Sequence, residues 1–136
     1  SVIDDTADAC PEKIESSLKS FATVRTHTRK FVVLGNLDNL SQFSIKAHEE
    51  IGRQAASLPA GQAGVAPILI FVGDTMRHAQ SAALKTGIKI DTHHFVTSAD
   101  AAAWLPDHIR TDDIIYISGG KNMEMGKVVE ALSFRA

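Results

Sequence analysis

Two patterns of apolar and polar positions alternate along this chain. Short, almost unbroken apolar runs stand at "FVVL" (Phe31–Leu34), "ILIFV" (Ile68–Val72) and "IIYI" (Ile114–Ile117), each followed closely by a glycine. Such runs are what strands buried on both faces look like. Between them, residues recur at helical spacing: Ile14, Leu18 and Phe21; Ile45, His48, Ile51, Ala55 and Leu58; Met76, Ala79, Ala83 and Leu84; Ala101, Ala102 and Leu105; and the stretch from Met123 to Leu132. That period predicts amphipathic helices. Weaker strand signals lie at Val2–Ile3 and at His93–Val96.

The punctuation agrees with the periods. Pro11 suits the first turn of a helix reaching about Ala22, since its missing N–H costs nothing there. Ser44 can cap a helix that runs to about Leu58, and Pro59–Gly64 reads as a loop. Asp74 or Thr75 starts the third helix, which Gly87 closes. Ser98 starts the fourth, and Pro106 bends or ends it. Strand and helix alternate throughout, with no hairpin signal. This order predicts an α/β fold: a Rossmann-like three-layer domain with a mostly parallel sheet flanked by helices. Without a linker, repeat or low-complexity tract, residues 1–136 read as one domain.

Composition narrows the class. With 136 residues, 44% of them hydrophobic, the chain can build a core without a disulfide or metal staple. A net charge of -2, with no cluster of Lys and Arg, argues against a nucleic-acid partner. The lone thiol, Cys10, cannot form an internal disulfide, which suits a reducing compartment. No apolar run approaches the roughly 20 residues that span a bilayer, and the first residues do not read as a basic-then-apolar leader. The expectation is a cytoplasmic protein without membrane association. Its abrupt opening, "SVIDD", looks cut from something longer.

Open α/β sheets bind ligands outside the carboxyl ends of their strands. Four loops qualify: Asp4–Pro11, Gly35–Ser44, Gly73–Thr75 and Ser118–Asn122. "SGGKN" is neither a G-x-x-x-x-G-K-S/T loop nor a G-x-G-x-x-G fingerprint. Two readings stay open for it: Gly119 and Gly120 allow a tight turn with positive φ, or the backbone N–H groups and Lys121 bind an anion. In "DDTADACP", Asp8 can cap the first helix, while Asp4 and Asp5 can meet a ribose hydroxyl, a cation or an ammonium group. "GNLDNLSQFS" is long for a strand-to-helix connection, as functional loops often are. His48 follows on an apolar stripe, where a histidine is a core residue more often than a catalytic one. His93 and His94 are neighbours on a strand and point to opposite faces, so they cannot share a metal. No His, Cys and carboxylate set has metal-ligand spacing, and Cys10 has no evident base. His27, His78 and His108 read as surface residues.

Taken together, these loops resemble the C-terminal domain of the Mur ligase family, most of all the branch that adds a D-alanyl-D-alanine dipeptide. That family enters the domain with D-D-S-Y-N-A-N-P, where this chain has "DDTADACP". Its pattern V-L-G-D-M-x-E-L-G, then L-H-x-x-V-G-x-x-A, is met by "VVLGNLDNLS" and "AHEEIGRQAA", with Gly35, His48, Gly52 and Ala55 in register. "FVGDTM" meets its V-G motif. "SGGKNMEMGKVVEAL" is similar to its closing K-G-S-R-x-M-x-M-E-K-V-V at Gly119, Met123, Met125 and Lys127 to Val129. Departures are clear: the family's Tyr and two Asn in the first motif are Ala7, Asp8 and Cys10. Its acidic residue after the strand-two glycine is Asn36, its E-L-G is Asn39, Leu40 and Ser41, and its Ser-Arg is Gly120 and Lys121, which keeps the charge but loses the bidentate fork.

The resemblance implies a domain of an ATP-dependent, amide-bond-forming ligase of peptidoglycan synthesis. Such an enzyme phosphorylates a carboxylate on a UDP-MurNAc-peptide, and an incoming amine attacks the acyl phosphate. It implies ATP and Mg2+ as cofactors, held mainly by a central domain. It also implies partners in the enzyme's own N-terminal and central domains. This domain would bind the incoming amino acid or dipeptide and close over ATP, without activity of its own. Asp4, Asp5 and Asp8 would face the nucleotide. Gly119, Gly120 and Lys121 would face the incoming substrate and its carboxylate, with Asn36 and His48 on the same wall. The altered first motif also fits a degenerate, non-catalytic module. A free-standing nucleotide-binding α/β protein is a third reading.

Overall fold

The computed structural model describes residues 1–7, 9–24, 29–60 and 66–133. Asp8, His27 and the Gly61–Gly64 part of the expected loop lie outside them. Among the described residues five strands and five α-helices alternate: β1 Val2–Asp5, α1 Pro11–Ala22, β2 Lys30–Gly35, α2 Ser44–Ala56, β3 Ile68–Val72, α3 Met76–Lys85, β4 Asp91–Phe95, α4 Ser98–His108, β5 Ile114–Ser118 and α5 Gly126–Ser133. The strands form one sheet in the order β1-β5-β2-β3-β4. Every pairing is parallel, from Val2 opposite Ile115 at one edge to Val72 opposite Phe95 at the other.

The order explains the layers. From β1 through β4 the chain winds one way, and α1, α2 and α3 lie on one face. There Ile14, Leu18, Ile51, Ala55, Met76 and Ala79 pack on Val32, Leu34, Leu69, Phe71 and Tyr116. After β4 the chain returns to insert β5 between β1 and β2, and a right-handed crossover in that direction lays its helix on the opposite face. Accordingly α4 and α5 place Leu105, Val128 and Leu132 on Phe31, Val33, Ile70, Ile115 and Ile117. All six residues of β2 are buried, which accounts for its apolar run.

Several boundaries differ from the sequence reading for local reasons. Strand β1 continues through Asp5, so Asp4 and Asp5 stand on the strand and not in the loop. The cap of α4 is Thr97, whose hydroxyl accepts the Asp100 N–H at 3.1 Å, while Ser98 is buried. Pro106 does not stop α4, which runs two residues further before ending with the Ile109 N–H on the Leu105 carbonyl. Residues Lys121–Met123 form a 3-10 turn, Glu124 takes a left-handed conformation, and α5 therefore starts at Gly126. Gly87 closes α3 as expected, with φ of +77°. Lys30, itself buried, donates to the Phe21 and Ala22 carbonyls at 3.0 and 3.4 Å, a cation at the negative end of α1.

Helices α2 and α3 approach closely at Gly52, where an added Cβ would overlap the Ala79 carbonyl. That contact gives a glycine in mid-helix its reason. Gly52→Ala should therefore destabilise the fold although alanine is the better helix former. Overpacking of about 1–3 kcal/mol outweighs a propensity gain of about 1 kcal/mol. Urea unfolding should show a lower midpoint with an unchanged slope; a higher midpoint would mean the helices can move apart freely.

Candidate functional site

The sheet's winding reverses between β5 and β2, and in open α/β sheets that is where a crevice forms beyond the carboxyl ends. Two loops meet there: 36–43 after β2 and 119–125 after β5. They are bonded to each other. The Gly120 N–H donates to the Asn36 carbonyl at 2.7 Å, and the Asn122 N–H donates to Asp38 Oδ2 at 3.1 Å. Asn39, Ser41 and Glu124, all in these loops, are the three non-glycine residues with positive φ among the described residues. Such conformations cost energy and gather at functional sites.

Gly119 and Gly120 do not sit here for positive φ: Gly120 has φ of -68°, and the glycines with positive φ among the described residues are Gly73 and Gly87. Space is the reason. A Cβ on Gly119 would lie 2.6 Å from Met125 Cγ, and one on Gly120 would lie 2.5 Å from Asp38 Oδ2 and 2.7 Å from the Asn36 carbonyl oxygen. Gly35, at the end of β2, shares the Met125 contact, with a Cβ 2.8 Å from its sulfur. Met125 is buried and fills the space between the two strand ends. The donors of the "SGGKN" turn are partly engaged as well. Gly120 serves Asn36, Asn122 serves Asp38, and the Met123 N–H serves the Gly120 carbonyl at 3.0 Å. The turn does hold a carboxylate, and it belongs to Asp38. Lys121 is exposed beside it.

Asn36 ties this pair of loops to the rest of the edge. Its N–H donates to the Val72 carbonyl at 3.0 Å, and its Oδ1 accepts the Met76 N–H at 2.9 Å at the start of α3. Its side chain lies where a Cβ on Gly73 would be. His48 is fully buried. Its Nδ1 lies 2.7 Å from the Ser44 carbonyl, which can only accept, so Nδ1 carries the proton. Nε2 is then free to accept the Leu37 N–H at 3.0 Å. With both nitrogens engaged and no exposed surface, His48 can act on this wall only by holding Leu37, next to Asp38.

The first motif is also bonded inward. Asp5 Oδ2 accepts the Tyr116 hydroxyl at 2.7 Å and the Ser17 hydroxyl at 2.8 Å, and Lys13 stands 3.3 Å from Oδ1. Burial raises the Asp5 pKa, but the Tyr116, Ser17 and Lys13 bonds outweigh it and hold the carboxyl below its ordinary value. Burial, with the same Asp5 contact, pushes the Tyr116 phenol up. The Ser118 hydroxyl donates to the Asp5 carbonyl at 3.1 Å, joining this cluster to the end of β5. Asp4 is exposed and accepts the Thr6 N–H and hydroxyl through Oδ1 at 3.1 and 2.7 Å. Its other oxygen can accept a hydroxyl from outside. Both Asp5 oxygens are engaged by neighbours, and no group of three His, Cys, Asp or Glu among the described residues could hold a metal. Asp38 is the residue the sequence reading missed, because an aspartate inside a polar loop carries no pattern.

A parallel sheet in this order, with its loops gathered at the reversal, defines a Rossmann-like α/β domain with its candidate site on the carboxyl edge. The comparisons with known proteins are more particular. Over 96% of its length the chain is 26% identical to the UDP-N-acetylmuramoyl-tripeptide–D-alanyl-D-alanine ligase of Mycobacterium leprae, of which it covers 27%. A solved MurF from Acinetobacter baumannii shares the fold with a TM-score of 0.76 and 23% identity, over 96% of this chain and 27% of that one. The MurF ligase of Thermotoga maritima, solved in complex with ADP, gives 0.72 and 18%, over 98% and 28%. No protein-family model matches the chain. The resemblance to the Mur ligases thus rests on both sequence and fold, and the chain spans about a quarter of these relatives' length. No helix among the described residues is long and apolar enough to cross a membrane.

The burial of His48 makes a pH prediction. Burial lowers its pKa, the Ser44 carbonyl opposes that in part, and nearby His78 adds to it. The unfolded chain then binds a proton that the folded one refuses. Stability from this source is complete above about pH 6.5 and falls by up to about 1.4 kcal/mol per pH unit below it, until the lowered folded pKa is reached. His48→Gln should flatten the profile between pH 6.5 and 5 in urea unfolding. Parallel profiles for the two proteins would exclude His48 as the responsible group.

Proposed function

We propose that this chain is the substrate domain of a longer, cytoplasmic, ATP-dependent ligase of peptidoglycan synthesis, joining an amino acid or dipeptide to a UDP-MurNAc-peptide. The observation that carries this reading is the similarity, over 96% of the chain, to a ligase that uses D-alanyl-D-alanine. The position of the candidate loops supports it, for they lie together on one edge that a further domain could close. ATP, when bound with its metal by the rest of the enzyme, supplies the phosphoryl group that activates the acceptor carboxylate. On this chain, Asp4 offers an acceptor to the nucleotide, and Asp5 orders the strand end beneath it through Tyr116 and Ser17. Lys121 meets the carboxylate of the incoming dipeptide. Asn36 and His48 position the wall, and Gly119 and Gly120 let it pack.

Binding the dipeptide beside the activated acceptor converts a bimolecular encounter into an oriented one. This domain's contribution is then orientation alone, and it is inactive when isolated. A second reading is favoured by the inward bonding of the same groups. Asp38 fills a donor of the "SGGKN" turn, and Ala7 and Cys10 stand where the family has polar side chains. Those features suit a degenerate, non-catalytic module retained for interaction.

The full-length protein should release phosphate from ATP only when both UDP-MurNAc-tripeptide and D-alanyl-D-alanine are present. Lys121→Ala should raise KM for the dipeptide about tenfold, the loss of one charged contact, with kcat changed less than about twofold. Full-length protein that folds, binds neither substrate and releases no phosphate would leave the module reading in its place.

A further inference from the structure

Among the described residues, Asp38 is the one carboxylate that bonds the backbone of the opposing loop where the winding reverses. Its Oδ2 accepts the Asn122 N–H at 3.1 Å and lies where a Cβ on Gly120 would be. Oδ1 has no partner among the described residues, and the side chain is half-buried. The exposed ammonium of Lys121 belongs to the residue beside Asn122, yet no ion pair joins it to Asp38. Two opposite charges therefore stand on loops that are bonded to each other, each without an ion pair among the described residues. The backbone donors of Gly120 and Asn122 are already taken, so the charged group this turn offers an incoming carboxylate is the lysine. A negative group already occupies the turn, and that favours the cationic end of a ligand at Asp38.

We propose that Asp38 is a binding residue for the ammonium of a zwitterionic ligand, an amino acid or short peptide, whose carboxylate pairs with Lys121. Through Asn122, the same side chain seats the loop that carries the lysine. This rests on the ligase reading and deepens it by naming which end of the incoming substrate each charge receives. Asparagine at position 38 keeps an oxygen for the Asn122 N–H and removes the charge, so it separates recognition from loop support.

The test is calorimetric titration of the full-length protein with D-alanyl-D-alanine and with its N-acetyl form, which lacks the ammonium. Asp38→Asn should weaken the free dipeptide about tenfold, the loss of one charge-assisted contact, and leave the N-acetyl form within about twofold. Lys121→Ala should weaken both. Amide hydrogen exchange at Asn122 should be unchanged in Asp38→Asn and faster in Asp38→Ala. Equal weakening of both ligands by Asp38→Asn would reduce Asp38 to loop support, and no weakening of either would remove it from the site. Those two outcomes overturn this inference while leaving the ligase reading standing. Failure of the wild-type protein to bind the dipeptide at all overturns both.

Discussion

The carboxyl edge of this domain hangs on Asn36, whose three polar groups serve three different elements. Its N–H holds the end of β3, its carbonyl holds the turn after β5, and its side chain accepts the first N–H of α3. Helix α3 has no capping side chain of its own at Thr75, so one of its orphan donors is met from 40 residues away. Each bond alone contributes about 1 kcal/mol, but leaving several half-buried partners unmet costs more than their sum in place. Gly73 completes the arrangement. With φ of +109° and no Cβ, it leaves room for the Asn36 side chain against the backbone.

That constraint changes what the glycines and acids of the motifs mean. Gly35, Gly119 and Gly120 are where backbones and Met125 come too close for a side chain. Asp5 spends its charge on Tyr116, Ser17 and Lys13, and His48 spends both nitrogens on backbone. The motif residues most suggestive of ligand contact thus hold the edge together, and among the described acidic and basic groups of these loops Asp4, Asp38 and Lys121 keep capacity to spare. Pre-organisation of this kind is what a binding wall on rigid elements needs.

The fold was readable because its signals are local. Unbroken apolar runs mark β2, β3 and β5, and Pro11 and Gly87 mark helix ends where the structure has them. Pro106 misled, because a proline in the last turn removes a single i→i−4 bond while the turn is still held by its neighbours, and α4 ends two residues later. The candidate site was less readable, for it depends on β5 landing beside β2, a pairing of strands some 80 residues apart that no local pattern encodes. Asp38 and Gly120 acquire meaning only through that neighbourhood. His48 lay between the two cases: its place on an apolar stripe pointed to the core, and its partners could not be read.

One pairing also governs how the chain reaches this state. Strand β1 is bonded only to β5, and the Tyr116 hydroxyl closes on Asp5 across 111 residues. Nothing nearer in sequence can hold β1 in the sheet. During synthesis, β2, β3 and β4 can pair as each emerges, whereas the first strand waits for the last. Contacts of such long range carry the largest loop-closure cost and set a slow final step. Until that step, the flanks of β2 and of the lone β1 remain open edges, which is the interval in which this domain most needs protection from pairing with its neighbours.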